Sequence, residues 1–184
     1  MGVSGCGKST VGALLAEALG CPFYEGDDFH PPANVTKMQA GAPLTDADRW
    51  PWLERLAAVV QRHLAEGQTA VLSCSALKPE YRALLRCGRG DGVAFVLIEP
   101  APAALEARLA RRAAAGRHFM PPSLLASQLS TLRYDPAELY LHFADEAALQ
   151  PPADIVSSVL RRLREGQSGQ PGQESPGQQQ QPNG

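Results

Sequence analysis

The sequence predicts an α/β fold, with a parallel sheet flanked by helices in three layers, and three observations carry that expectation. Short apolar runs alternate with stretches of helical periodicity, which is the pattern of repeated strand-then-helix units. A glycine-rich segment, Gly2-Val3-Ser4-Gly5-Cys6-Gly7-Lys8-Ser9, opens directly into an Ala- and Leu-rich stretch. The length of 184 residues suits one domain of ordinary size with an appended tail.

Taken in order, Ser9 to Leu19 reads as a helix stopped by Gly20, a residue suited to a left-handed C-terminal cap. Phe23 and Tyr24 form a short strand before the acidic turn Glu25-Gly26-Asp27-Asp28, and a helix follows from about Pro31 to Gly41. Asp46 to Glu66 is the clearest helix: Leu53, Leu56, Ala57, Val60 and Leu64 recur at spacings of three and four and share one face. Thr45 and Asp48 there resemble a capping box with Asp in place of Glu, and Gly67 closes the far end. Thr69 to Ser73 and Val93 to Ile98 read as buried strands, followed by helices at Pro79 to Cys87 and Ala101 to Ala113. The run Arg111 to Pro122 breaks the pattern as an exposed basic loop. Helices at Ser123 to Leu132 and around Ile155, Val156, Val159, Leu160 and Leu163 complete the domain, taken as residues 1–165. Residues 166–184 consist mostly of Gln, Gly, Pro, Ser and Glu, with almost no apolar surface to offset ordering entropy, so a disordered tail is expected.

Composition narrows the function. With 17 Lys+Arg against 19 Asp+Glu the net charge is -2, so nothing attracts a polyanion globally and no nucleic-acid role is expected. No apolar run approaches the roughly 20 residues that span a bilayer, and the N-terminus lacks a signal-peptide pattern; the expectation is a cytoplasmic protein without a membrane partner. Cys6, Cys21, Cys74 and Cys87 show no metal or redox spacing and read as free thiols.

The glycine-rich segment fits the Walker A pattern G-x-x-x-x-G-K-[ST] at every fixed position. Its glycines allow positive φ and close approach, so that successive N–H groups from Gly2 to Thr10 can point at the phosphates of ATP. Lys8 adds a cation near the β- and γ-phosphates, the Ser9 hydroxyl can ligate Mg²⁺, and the following helix presents its positive end to the same anion. A buried strand normally precedes such a loop, and here Met1 stands immediately before the first glycine. Losing three or four buried apolar residues, at about 1.5–3 kcal/mol each, would rival the net stability of about 5–15 kcal/mol of an ordinary domain. The neighbouring strands are therefore expected to face each other across a slot.

Beyond the loop come Phe23-Tyr24-Glu25-Gly26-Asp27-Asp28-Phe29-His30-Pro31, then Asn34, Lys37-Met38, Gly41-x-Pro43-Leu44 and Asp46-x-Asp48-Arg49-x-Pro51-Trp52-Leu53. Cys74-Ser75-Ala76-Leu77-Lys78 with Tyr81-Arg82, and Gly116-Arg117-His118-Phe119-Met120, follow. This ordered series, from Met1 to about Leu132, resembles the gluconokinase family of small P-loop kinases. The resemblance implies a fold similar to nucleoside monophosphate and shikimate kinases, lacking its first strand here, and phosphoryl transfer from ATP, with Mg²⁺, to the 6-hydroxyl of D-gluconate.

Asp27, at the carboxyl edge of a strand, can accept the hydroxyl proton or help hold Mg²⁺. It is preferred over Asp28 because it matches the family's Gly-Asp pair. Arg49 offers a planar fork for the gluconate carboxylate. Lys78 is expected to bind the sugar acid or a phosphate, or else to be a surface lysine. His30 and His118 lie in matched motifs and are carried as substrate-binding candidates, and Trp52 is expected in the core. Arg111, Arg112 and Arg117 belong to a lid that would bring positive charge to the transferring group, with Arg112 on ATP and Arg117 as the catalytic choice. A homodimer is an option because relatives are often dimers. Two alternatives are a truncated, catalytically impaired isoform with a non-enzymatic role, and a kinase for another acceptor such as shikimate or a nucleoside monophosphate.

Overall fold

The structure is a computed structural model that describes residues 1–114 and 124–168. Helix α1 spans Lys8–Leu19, strand β1 Phe23–Glu25, α2 Pro32–Gln39, α3 Asp46–Ala65, β2 Val71–Ser73, α4 Pro79–Leu85, β3 Val96–Glu99, α5 Pro102–Ala114, α6 Leu124–Thr131, β4 Leu141–Ala144 and α7 Pro152–Ser168. Strand β1 pairs in parallel with β2 in the register Phe23↔Val71, and β3 pairs in parallel with β4 in the register Val96↔Leu141. These form two separate two-stranded sheets.

Met1 and Gly2 lie between the two sheets. The Ile98 N–H donates to the Met1 carbonyl at 3.0 Å and the Gly2 N–H donates to the Ser75 carbonyl, just past β2, at 3.2 Å. The Met1 amine donates to the Val96 carbonyl. Met1 thus lies along β3 from Val96 to Ile98, and Gly2 reaches the chain just past β2.

Local chemistry explains most element boundaries. Gly20 caps α1 at φ 63°, and its N–H bonds to the Ala16 and Glu17 carbonyls. Thr45 and Asp48 form the expected capping box, so α3 begins at Asp46 although Pro51 removes one helical N–H further along. Its apolar face is buried through Leu53, Leu56 and Ala57, of which Leu53 and Leu56 join one cluster with Leu77, Tyr81 and Leu85 from the α4 side and Leu105 and Leu109 from α5. Helices α1 and α7 pack together, and α1 also lies along β1 and β2.

Three expectations need correction. Strand β4 was not foreseen, because Leu141-His142-Phe143-Ala144 is too short and mixed to show a period; its pairing with β3 makes it a strand. Arg111 and Arg112 stand on the last turn of α5 rather than in a loop. Helix α7 continues to Ser168, past the expected domain end at 165. The rest of the expected tail, and the loop segment with Arg117 and His118, fall outside the described residues.

Gly26 joins β1 to the single 3-10 turn Gly26–Phe29 that carries Asp27. A Cβ built there would lie 2.2 Å from the Ser73 carbonyl oxygen, a backbone atom of the paired strand. Gly26→Ala should therefore cost about 1–3 kcal/mol of unfolding free energy through overpacking in urea denaturation. Gly90→Ala, where nothing lies within 4 Å of the added Cβ, should stay within about 0.5 kcal/mol of the parent.

Candidate functional site

The glycine-rich segment forms a cradle. Gly2, Gly5 and Gly7 take φ values of 133°, 84° and 108°, a region open to glycine at little cost. Gly7 precedes α1 directly, and the first helical bond runs from the Val11 N–H to the Gly7 carbonyl at 3.0 Å. The N–H groups of Lys8, Ser9 and Thr10 thus have no carbonyl within the helix to pair with, and the helix dipole adds to their positive field.

The cradle is held from several sides. The Ser4 N–H donates to Gln128 Oε1 at 2.6 Å. Arg108 Nη1 donates to the Cys6 carbonyl at 3.2 Å, and Lys8 Nζ donates to the Val3 carbonyl at 3.0 Å. The side chains of Val3 and Cys6, 1% and 2% exposed, pin the loop to the core from beneath. Both therefore serve the cradle through their backbone, and the Gly2 N–H is already engaged by Ser75.

Ser4, Gly5, Gly7, Lys8, Ser9 and Thr10 open into one cleft, whose opposite wall carries Asp27, His30 and Arg49. Arg112 borders this cleft and a second cavity behind the loop, where Arg108, Arg111, Leu149 and Pro151 also lie. Asp28 is exposed and lines neither.

The wall around Asp27 is built on Trp52. Its indole, 1% exposed as expected for a core residue, donates to the Gly26 carbonyl at 2.7 Å and stacks on the His30 ring at a centroid distance of 4.2 Å. Burial, and then the Arg49 charge, push the His30 pKa down to about 4. Asn34 Nδ2 donates to the Asp48 carbonyl at 2.8 Å and stands 3.4 Å from His30 Nδ1. An amide NH₂ can only donate, so the neutral imidazole carries its proton on Nε2, 3.9 Å from Asp27 Oδ1. That approach is a polar contact between a neutral donor and a carboxylate rather than an ion pair.

Arg49 is 7% exposed, and its guanidinium makes no hydrogen bond among the described residues. Lys78 is placed elsewhere. Its ammonium binds both oxygens of Asp46, at 2.7 and 2.6 Å, while the Tyr81 hydroxyl also donates to Asp46. Those bonds hold the Asp46 carboxyl below its ordinary range. Lys78 does not line the cleft; it ties the start of α4 to the start of α3, because its stem is too close to Asp46 to reach the cleft without breaking two charge-assisted bonds.

Sequence reasoning missed Gln128 and Arg108, and it placed Asn34 and Ser75 in the motif series without giving them a role. Gln128, 8% exposed, sits one turn beyond Leu124 on the buried face of α6. A lone amide on an apolar helix face was the available signal, since buried polar groups need a partner.

Comparison with known proteins agrees with this geometry. The family model described as shikimate kinase matches residues 4–164. The chain is 42% identical over 172 residues to a gluconokinase of Arabidopsis thaliana, covering 89% of each sequence. It is 53% identical over 132 residues to a gluconokinase of Gluconobacter oxydans, covering 72% of each. A solved gluconokinase from Sinorhizobium meliloti superposes with a TM-score of 0.74 at 47% identity, over 90% of this chain and 89% of that one.

The depressed His30 pKa fixes the sign of a pH effect. An unfolded chain binds the His30 proton near pH 6.5 and the folded one only near 4, so this contribution is fully present above about pH 6.5 and lost as pH falls toward 4. Urea unfolding at pH 7 and at 4.5 should show about 2 kcal/mol lost through this group, and His30→Gln should remove that increment. An unchanged pH slope in the variant would assign the loss elsewhere.

Proposed function

The chain belongs to the gluconokinase family of P-loop kinases, and on that premise we propose that its cleft transfers the terminal phosphoryl group of ATP to the 6-hydroxyl of D-gluconate, giving 6-phospho-D-gluconate. The observation that carries the acceptor assignment is Arg49: a side chain 7% exposed that lines the cleft across from the phosphate cradle and has no hydrogen-bond partner among the described residues. Its charge acts on Asp46 but no hydrogen bond engages its fork, and a sugar-acid carboxylate fits that fork in the bidentate geometry guanidinium favours.

The remaining roles follow from position. Lys8 and the N–H groups that open α1 hold the β- and γ-phosphates. Asp27 takes the proton of the 6-hydroxyl as its oxygen attacks phosphorus and the bond to the bridging oxygen of ADP breaks. His30, neutral with its proton on Nε2, faces the same carboxylate and donates to the acceptor or to Asp27. The second cavity, lined by Arg108, Arg112, Leu149 and Pro151 among others, offers apolar surface and cations for the nucleoside. Arg117 and His118 are proposed to complete the lid.

The donor set fits Mg²⁺. Ser9 supplies a hydroxyl at the cradle, and Asp27 and Glu25 line the same cleft with carboxylates, the hard oxygen ligands this ion prefers. Bound there, Mg²⁺ neutralises phosphate charge and orients the transferring group. Among the described residues no helix is long and apolar enough to cross a membrane, and a cytoplasmic location and a homodimer remain proposals. The near-full coverage of catalytic relatives favours the kinase over a non-enzymatic isoform. The gluconokinase relatives favour a sugar-acid acceptor over a nucleoside monophosphate, whose phosphate an arginine fork would fit equally well.

Steady-state kinetics test this reading. Full-length protein with MgATP should turn over gluconate, and glucose, which lacks the carboxylate, should be a poor acceptor. Arg49→Met should raise the KM for gluconate about 10- to 100-fold, the worth of a charge-assisted bond pair, with little change in the KM for ATP. Lys8→Ala should lower kcat about 10²- to 10³-fold. Turnover of shikimate but not gluconate, or an Arg49→Met variant with normal gluconate KM, would overturn the acceptor assignment.

A further inference from the structure

Helix α6 touches both halves of the cleft, and it does so through two residues one turn apart. Leu124, 4% exposed, forms a small apolar cluster with Met38 of α2 and Leu44 of the α2–α3 connection, separate from the main core. All three line the cleft on the acceptor side. One turn on, Gln128 accepts the Ser4 N–H of the phosphate cradle at 2.6 Å. Both partners of that bond are 8% exposed, so its loss would leave a buried donor unpaired. Leu125, between them in sequence, belongs to the main core, and the Leu132 N–H bonds to the Gln128 carbonyl at 2.9 Å, carrying helical geometry past the end of α6.

This arrangement has a mechanical consequence. The helix α2 that supplies Met38 also supplies Asn34, the partner of His30 beside Asp27. An acceptor that engages Arg49 and His30 and draws this wall inward acts on Met38 and Leu44, and through Leu124 on α6. Helix α6 is rigid over a single turn, so Gln128 moves with Leu124, and the Ser4 peptide with Gln128. Apolar contact at one end and a short buried hydrogen bond at the other make α6 a lever between acceptor wall and phosphate cradle, and such a contact chain carries coupling only if both ends bias the same element.

We propose that Gln128 is a positioning residue that couples occupancy of the acceptor wall to the shape of the phosphate cradle, through the Leu124–Met38–Leu44 cluster at one end of α6 and the Ser4 peptide at the other. The proposal rests on gluconate as acceptor and goes beyond it. Gln128 sets the orientation of the third residue of the cradle, so that acceptor binding and nucleotide binding strengthen each other.

Calorimetric titration of the full chain with a non-hydrolysable ATP analogue and Mg²⁺, without and with saturating gluconate, reads that coupling. In the parent protein gluconate should tighten the analogue by about fivefold or more, the lower end of ordinary coupling between sites. In Gln128→Leu the ratio should fall to about one, while the affinity for gluconate alone stays within about twofold and the melting temperature shows a folded protein. Gln128→Met serves the same purpose if the leucine variant does not fold. Gln128→Glu keeps an acceptor for the Ser4 N–H and should keep the ratio, although its charge weakens nucleotide binding in both arms; loss of coupling in a merely destabilised helix would not be rescued this way. A ratio of one in the parent, or a parent-like ratio in Gln128→Leu, overturns the proposal. Absence of gluconate binding to the parent instead strikes the acceptor assignment, and the same comparison with the acceptor identified by turnover then decides the coupling.

Discussion

The site depends on one constraint: N–H groups that must face an anion cannot also hold the loop, and apart from the Cys6 N–H on the Val3 carbonyl the early loop is anchored by partners outside it. Ser75 takes the Gly2 N–H, Gln128 the Ser4 N–H, and Arg108 binds the Cys6 carbonyl. Val3 and Cys6 are buried in the main core. With the early loop fixed, the N–H groups of Lys8, Ser9 and Thr10 are left for phosphate, and the helix dipole acts at the same place. Segments far apart in sequence, after β2, in α5 and in α6, meet at a loop of eight residues.

The acceptor wall obeys a parallel rule. Here an aromatic platform does the holding: Trp52 binds the Gly26 carbonyl and stacks on His30, and the absence of a side chain at Gly26 lets β1 run close against Ser73. This fixes Asp27 at the end of β1 while leaving Arg49 buried without a hydrogen-bond partner among the described residues. The near-neutral charge of the chain, -2, follows from this economy. Anion binding is concentrated in backbone groups and a few placed cations, so the surface as a whole has no need to be basic.

Much of this was legible in the sequence where the deciding physics is local. The cradle, the capping box at Thr45 and Asp48 and the burial of Trp52 each follow from residues within a few positions of one another. What was not legible depended on distant partners. The open choice for Lys78 between anion binder and surface lysine turns on Asp46, 32 positions away, β4 acquires its character only by pairing with β3, and nothing near Gln128 announces that it will meet Ser4, 124 positions away. Nor was it legible that Met1 would lie along β3 while Gly2 bonds to Ser75, just past β2.

The claim that the cradle is held from outside, with its remaining N–H groups reserved for nucleotide, is tested most directly by residue-resolved amide hydrogen exchange of the full chain with and without a non-hydrolysable ATP analogue. The account predicts that the Gly2 and Ser4 amides are protected in both conditions, whereas those of Lys8, Ser9 and Thr10 exchange rapidly in the free protein and slow strongly once the analogue binds. Rapid exchange at Ser4 in the free protein, or protection of Lys8 to Thr10 that is indifferent to the analogue, would contradict it.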